Sequence, residues 1–121
     1  MERPYRHLIV ERHGDVWCAR LATHRMPESQ LEELSEEFNW IIEDENCRKL
    51  VMSLGPQDPE CLYSVFLAKL VSLQRRMKDK KGVLKLADVS PEALGIFAAC
   101  HLEKVFDFVP TTASAVAALQ G

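Results

Sequence analysis

Cys61-Leu62-Tyr63-Ser64-Val65-Phe66-Leu67-Ala68-Lys69-Leu70 follows the apolar run Leu50-Val51-Met52-Ser53-Leu54 and opens a helical pattern that ends at Gln74-Arg75-Arg76. The earlier run is short and nearly continuous, as in a central strand covered on both faces. The later one repeats apolar residues at helical steps, with Leu62, Phe66, Leu70, Leu73 and Met77 on one stripe from about Leu62 to Lys80. Gly55-Pro56-Gln57-Asp58-Pro59 between them is loop. Strand, loop and helix in this order form the repeating unit of an α/β sheet. The helix start brings unpaired N–H groups and a partial positive charge to the end of the strand. No lysine and no glycine-rich phosphate loop stand at the turn, so the segment suits docking better than reaction.

Working outward, the same alternation continues in both directions. Leu8-Ile9-Val10 and Val16-Trp17-Cys18-Ala19-Arg20-Leu21 flank a Gly14-Asp15 turn and read as a β-hairpin. Val16, Cys18 and Arg20 then share one face, and Trp17, Ala19 and Leu21 the other. Ser29-Gln30-Leu31-Glu32 fits a capping box before a helix that buries Leu31, Leu34, Phe38 and Ile41, with Asn46 as its stop. Beyond the central helix, Gly82 suits a left-handed terminator, and Val83-Leu84-Lys85-Leu86 suits a strand. Ser90-Pro91-Glu92 starts a further helix, Val105 to Val109 is a last strand, and Thr112 caps a terminal alanine-rich helix. The order β-β-α-β-α-β-α-β-α predicts an α/β sandwich, mostly parallel after an N-terminal hairpin, with about four helices. No repeat and no dividing linker interrupts residues 1–121, which read as one domain.

The chain has 121 residues, 47% of them hydrophobic, enough for one core. A formal charge of −3 offers no electrostatic reason for a nucleic-acid partner. No 18-residue apolar run and no signal-peptide core are present, which predicts a soluble, cytoplasmic protein with no membrane insertion. Cys18, Cys47, Cys61 and Cys100 contain no C-x-x-C pair and read as reduced, mostly buried thiols. Eight acids and no lysine or arginine lie between Arg25 and Arg48, forming either a solvated face or a surface for a basic partner. Arg75, Arg76, Lys78, Lys80 and Lys81 suit the C-terminal end of a helix.

Chemistry finds little support. His7, His13, His24 and His101 lack ligand spacing, so no metal is expected and surface or cap roles fit them. Ser64 and Cys61 lie near a helix start, but neither belongs to a nucleophile motif or has a nearby histidine as base. Gly55-Pro56 is not a nucleotide loop, and no cofactor is indicated.

The chain resembles the STAS domains, and among them the bacterial anti-sigma factor antagonists, over nearly its whole length. Leu62 to Arg76 is similar to the family's D-S-S-G-L-G segment and the basic-ended helix behind it. Gly82-Val83-Leu84-Lys85-Leu86, Ser90-Pro91-Glu92 and Leu102-Glu103-Lys104-Val105-Phe106 are further matches in order. The resemblance implies a non-catalytic protein-interaction module for sigma factor regulation. Its partner would be a serine-kinase-type anti-sigma factor or another STAS protein; homodimerisation stays open. In the family a serine at the helix start is the kinase's acceptor, and phosphate there adds charge to the docking surface. Matching the segments places that acceptor at Val65, which has no hydroxyl, and the neighbouring serine at Ser64, whose ordinary role is a helix cap. The family's glycine falls at Phe66, and its later glycine at His101. The resemblance therefore implies a contact patch of Tyr63, Ser64, Val65 and Phe66, with Tyr63 and Phe66 as aromatic anchors and Ser64 the one serine for any remaining phosphorylation. Two other readings stay beside it: a STAS-like sensor of a nucleotide or lipid, with a pocket near the second helix, and an enzyme using Ser64 or Cys61.

Overall fold

The computed structural model describes residues 5–22, 28–54 and 64–120. Strands β1 (Leu8–His13) and β2 (Val16–Leu21) form an antiparallel hairpin in which Leu8 pairs with Leu21 and His13 with Val16. Gly14 supplies the turn's positive φ of 67° at no Cβ penalty. Strands β3 (Lys49–Ser53), β4 (Val83–Ala87) and β5 (Asp107–Val109) then add in parallel, giving the five-stranded order β1-β2-β3-β4-β5. Helices α1 (Leu31–Asn39), α2 (Ser64–Asp79), α3 (Pro91–Ala99) and α4 (Thr112–Leu119) follow β2, β3, β4 and β5. This is the order and mixed sheet that the periodicities predict.

Strand alternation sends side chains to two different cores. Trp17, Ala19, Leu50, Met52, Leu84 and Leu86 point to one face, where α1, α2 and α3 cover them with Leu34, Phe38, Leu70, Met77 and Phe97. Val16, Cys18, Val51 and Ala87 point to the other face, where α4 sets Ala115 over them. β3 is buried on both sides, as its unbroken apolar run requires.

Several local expectations are corrected. Ser29 and Glu32 make no capping box: Glu28–Gln30 form a 3₁₀ turn, and the cap position falls on Gln30 without a side-chain bond. Behind α1 the chain widens into a π-type turn over Trp40–Asp44, closed by Glu45 N–H donating to Trp40 O at 2.9 Å. That wider turn lets the adjacent Ile41 and Ile42 both face the core. Asn46 ends the segment with φ 55°.

Gly82 is not the left-handed residue; Lys81 is, with φ 61°. Gly82 N–H donates to Met77 O at 2.6 Å and Lys81 N–H to Lys78 O at 2.9 Å, a Schellman ending one residue earlier than expected. Glycine is needed there for space, because a Cβ would stand 2.8 Å from Arg48 O. Strand β5 begins at Asp107 rather than Val105. Thr111, not Thr112, caps α4, through a reciprocal pair with Ser114. Ser90 caps α3 as expected, its Oγ accepting from Ala93 N–H at 3.1 Å.

Candidate functional site

The start of α2 lies just past the carboxyl end of β3, on the side where α3 also begins after β4. Ser64 is the first residue of the helix. Its side chain, and all of Cys61, Leu62 and Tyr63, lie outside the described residues. Val65, the next residue, is 37% exposed, whereas Phe66 is only 1% exposed and belongs to the core cluster. The four-residue surface patch is thus narrower than expected. The stripe that sends Leu70, Leu73 and Met77 inward begins at Phe66, so the helix must rotate that ring into the core and cannot offer it as an anchor. Leu94 on α3 is another exposed apolar side chain, at 39%, as are Ile9 on β1 and Val83 on β4.

No acid sits in the first turn of α2, so the helix end keeps its partial positive charge. Farther along, α2 meets the acidic α1 segment. Lys69 Nζ lies 3.0 Å from Glu32, Arg76 lies 3.2 Å from Glu43, and Lys80 Nζ 3.1 Å from the same carboxylate. Arg76 also donates to Asn39. The Lys80 hydrogen bond, opposed by desolvation and aided by Arg76, holds the Glu43 carboxyl below its ordinary range. Acidic and basic runs therefore face one another within the chain, an answer that neither run discloses alone.

Glu37 follows a different course and is buried at 3% exposure. Its carboxylate accepts from the backbone N–H groups of Arg6, His7 and Leu8 at 3.1–3.2 Å, which ties the start of β1 to α1. His7 is buried too, contrary to a surface role, with Nε2 2.8 Å from Glu33 Oε2. His13 stands at the hairpin end, 3.6 Å from Glu11, and His101 ends α3 with φ 60°. The left-handed turn expected of glycine is kept at His101: its N–H donates to Ala98 O and Leu102 N–H to Phe97 O, at 3.0 and 2.8 Å. His24 lies outside the described residues. Among the described residues no group of three or more side chains is placed to hold a metal ion. Cys18 and Cys47 are buried free thiols, and Cys100 is free and exposed. Burial pushes Cys47 up to about 11, while Cys18 is raised by desolvation and then by Glu11.

A cavity of about 300 Å³ opens on the α4 face, lined by Ile9, Glu11, Cys18, Arg20, Asp88 and Thr112 among others. None of its lining residues belongs to α2, so it is not the pocket expected beside that helix. Asp88 accepts from Ser53 Oγ at 2.7 Å and from Thr112 Oγ1 at 2.6 Å. Sequence reasoning missed this cluster, because its three members are far apart in the chain and each belongs to an ordinary turn or cap.

No family model matches the sequence, and no curated protein matches it. Solved structures do match. An anti-sigma-factor antagonist (STAS) domain protein from Planctomyces limnophilus superposes with a TM-score of 0.77 at 23% identity, over 92% of this chain and 96% of its own. An anti-sigma factor antagonist from Mycobacterium paratuberculosis gives 0.78 at 20% identity, over 94% and 93%. A putative anti-sigma factor antagonist from Thermotoga maritima gives 0.75 at 11% identity, over 93% of both chains. The fold is the STAS fold. Among the described residues, no helix of this STAS-type chain is long and apolar enough to cross a membrane.

Proposed function

We propose that residues 1–121 form a single STAS domain acting as a non-catalytic protein-interaction module, an anti-sigma factor antagonist in a bacterial cytoplasm. Its partner is a serine-kinase-type anti-sigma factor or another STAS protein, and it docks through the start of α2 around Tyr63, Ser64 and Val65. The observation that carries this reading is Val65, an exposed apolar side chain on the first turn of α2, and the motif resemblance assigns the family's phosphoacceptor to this residue. A side chain without a hydroxyl accepts no phosphate, so no negative charge is added at residue 65 and the docking state is permanent. The fold neighbours support the general kind of function, and the acid-free first turn supports a contact surface without negative charge.

Incubating the protein with such a kinase and ATP tests it. The intact mass should not change, whereas Val65→Ser should gain one phosphate mapped to residue 65. Val65→Glu should weaken binding of the same kinase by roughly tenfold or more, since it places a desolvated charge in the contact. Phosphate on Ser64 of the unaltered chain would overturn the lost switch; full-strength binding by Val65→Glu would overturn the docking surface.

A further inference from the structure

We infer that Asp88 is a latch holding α4 on the sheet, and that α4 opens as a unit while the rest of the fold stays closed. Asp88 follows β4 and adopts φ 59°, a left-handed conformation that side chains seldom take. There its carboxylate accepts from Thr112 at two points, N–H to Oδ1 at 3.3 Å and Oγ1 to Oδ2 at 2.6 Å. Ser53 Oγ, at the end of β3, donates to the same Oδ2 at 2.7 Å. One side chain thus joins the ends of β3 and β4 to the first residue of α4.

Among the described residues, little large apolar surface holds that helix. α4 spans eight residues, Thr112–Leu119, too few to stay helical in water without docking. Only Ala115 is fully buried, with Val116 and Leu119 packed partly against the sheet. The surface beneath it is small as well: Val16, Cys18, Val51 and Ala87. Helices α1 to α3, by contrast, rest on a separate core on the opposite face, so nothing in their packing requires α4 to remain in place. α4 touches β2, β3, β4 and β5, but the apolar surface it buries there is small, so its local opening energy is low and the charge-assisted cluster at the helix start decides whether the helix is on or off. When α4 lifts, it uncovers Cys18, which already lies at the floor of the cavity beside the latch at 8% exposure. The cavity then widens into a trough along β2 and β3, with Val16, Cys18 and Val51 on its floor and Arg20 and Ser53 at its end.

Cys18 is the natural reporter. The full-length chain, D88N and T112V would be labelled with a maleimide at one pH, modification at Cys18 followed by peptide mass, and amide exchange of α2 measured in parallel. Asp88→Asn keeps the shape and left-handed tolerance but removes an acceptor; Thr112→Val keeps the branched side chain but removes the hydroxyl. Labelling of Cys18 should rise by about tenfold or more in D88N, with T112V between it and the unaltered chain. Exchange in α2 should not move. An unchanged Cys18 rate in the variants overturns the latch. Equal acceleration in α2 also overturns it, since Asp88 would then support the whole fold. If D88N does not fold, T112V carries the same two outcomes alone.

Discussion

Three helices cover one face of the sheet with leucine, isoleucine, phenylalanine and methionine, while one alanine-rich helix covers the other over valine, cysteine and alanine. Hydrophobic stabilisation scales with apolar area removed from water, about 25 cal/mol per Å². The first face therefore carries most of the stability, and the second is where structure can be altered or opened at small cost. The proposed contact at Val65 lies on the helices of the strong face, so its backbone is held by Phe66, Leu67 and Leu70 just behind it. The Asp88 cluster serves the weak face, where a few polar bonds replace a core.

The comparison breaks if removing one of the largest buried side chains from each face costs the same. Phe97→Ala removes a fully buried ring that stacks edge-on against Phe106 and Phe108, at centroid distances of 5.6 and 5.2 Å. It should cost about 3–5 kcal/mol in urea unfolding. Val51→Ala, equally buried but beneath α4, should cost only about 2 kcal/mol. Gly82→Ala sharpens the contrast without removing anything. Its methyl would meet Arg48 O and the Met77 side chain where α2 joins the sheet, and should destabilise by about 1–3 kcal/mol by overpacking. At Gly95 a Cβ meets nothing within 4 Å, so the same change there is the control. The smallest effect has the opposite sign. His101→Gly removes the left-handed penalty at the end of α3 and should raise stability by about 1 kcal/mol, read as a higher denaturation midpoint with an unchanged slope.

Legibility followed the range of the interaction. The α2 stripe, the hairpin with its Gly14-Asp15 turn and the Ser90-Pro91 helix start were readable because their signals lie within a few residues. The site was only partly readable. Spacing placed Val65 at the start of α2, but treating four successive residues as one surface ignored that consecutive helical side chains point about 100° apart, which sends Phe66 inward. Gly82 shows the same limit in another form. A glycine after a helix suggests a positive φ, yet here the missing Cβ answers to Arg48, distant in the chain. His101 is the converse, since a histidine gives no local sign of a left-handed turn that two backbone hydrogen bonds nevertheless impose.

Periodicity and turn chemistry alone determined the element order, the hairpin and the two-sided burial of β3, because 3.6- and 2-residue repeats record which faces are hidden. Tertiary structure decided which charges met: Glu37 went inward to backbone N–H groups, Glu32 and Glu43 went to α2, and Asp88 drew Ser53 and Thr112 together. A polar side chain's worth is set by whichever donor, acceptor or solvent it finds once the chain is folded, and one-dimensional spacing does not contain that partner.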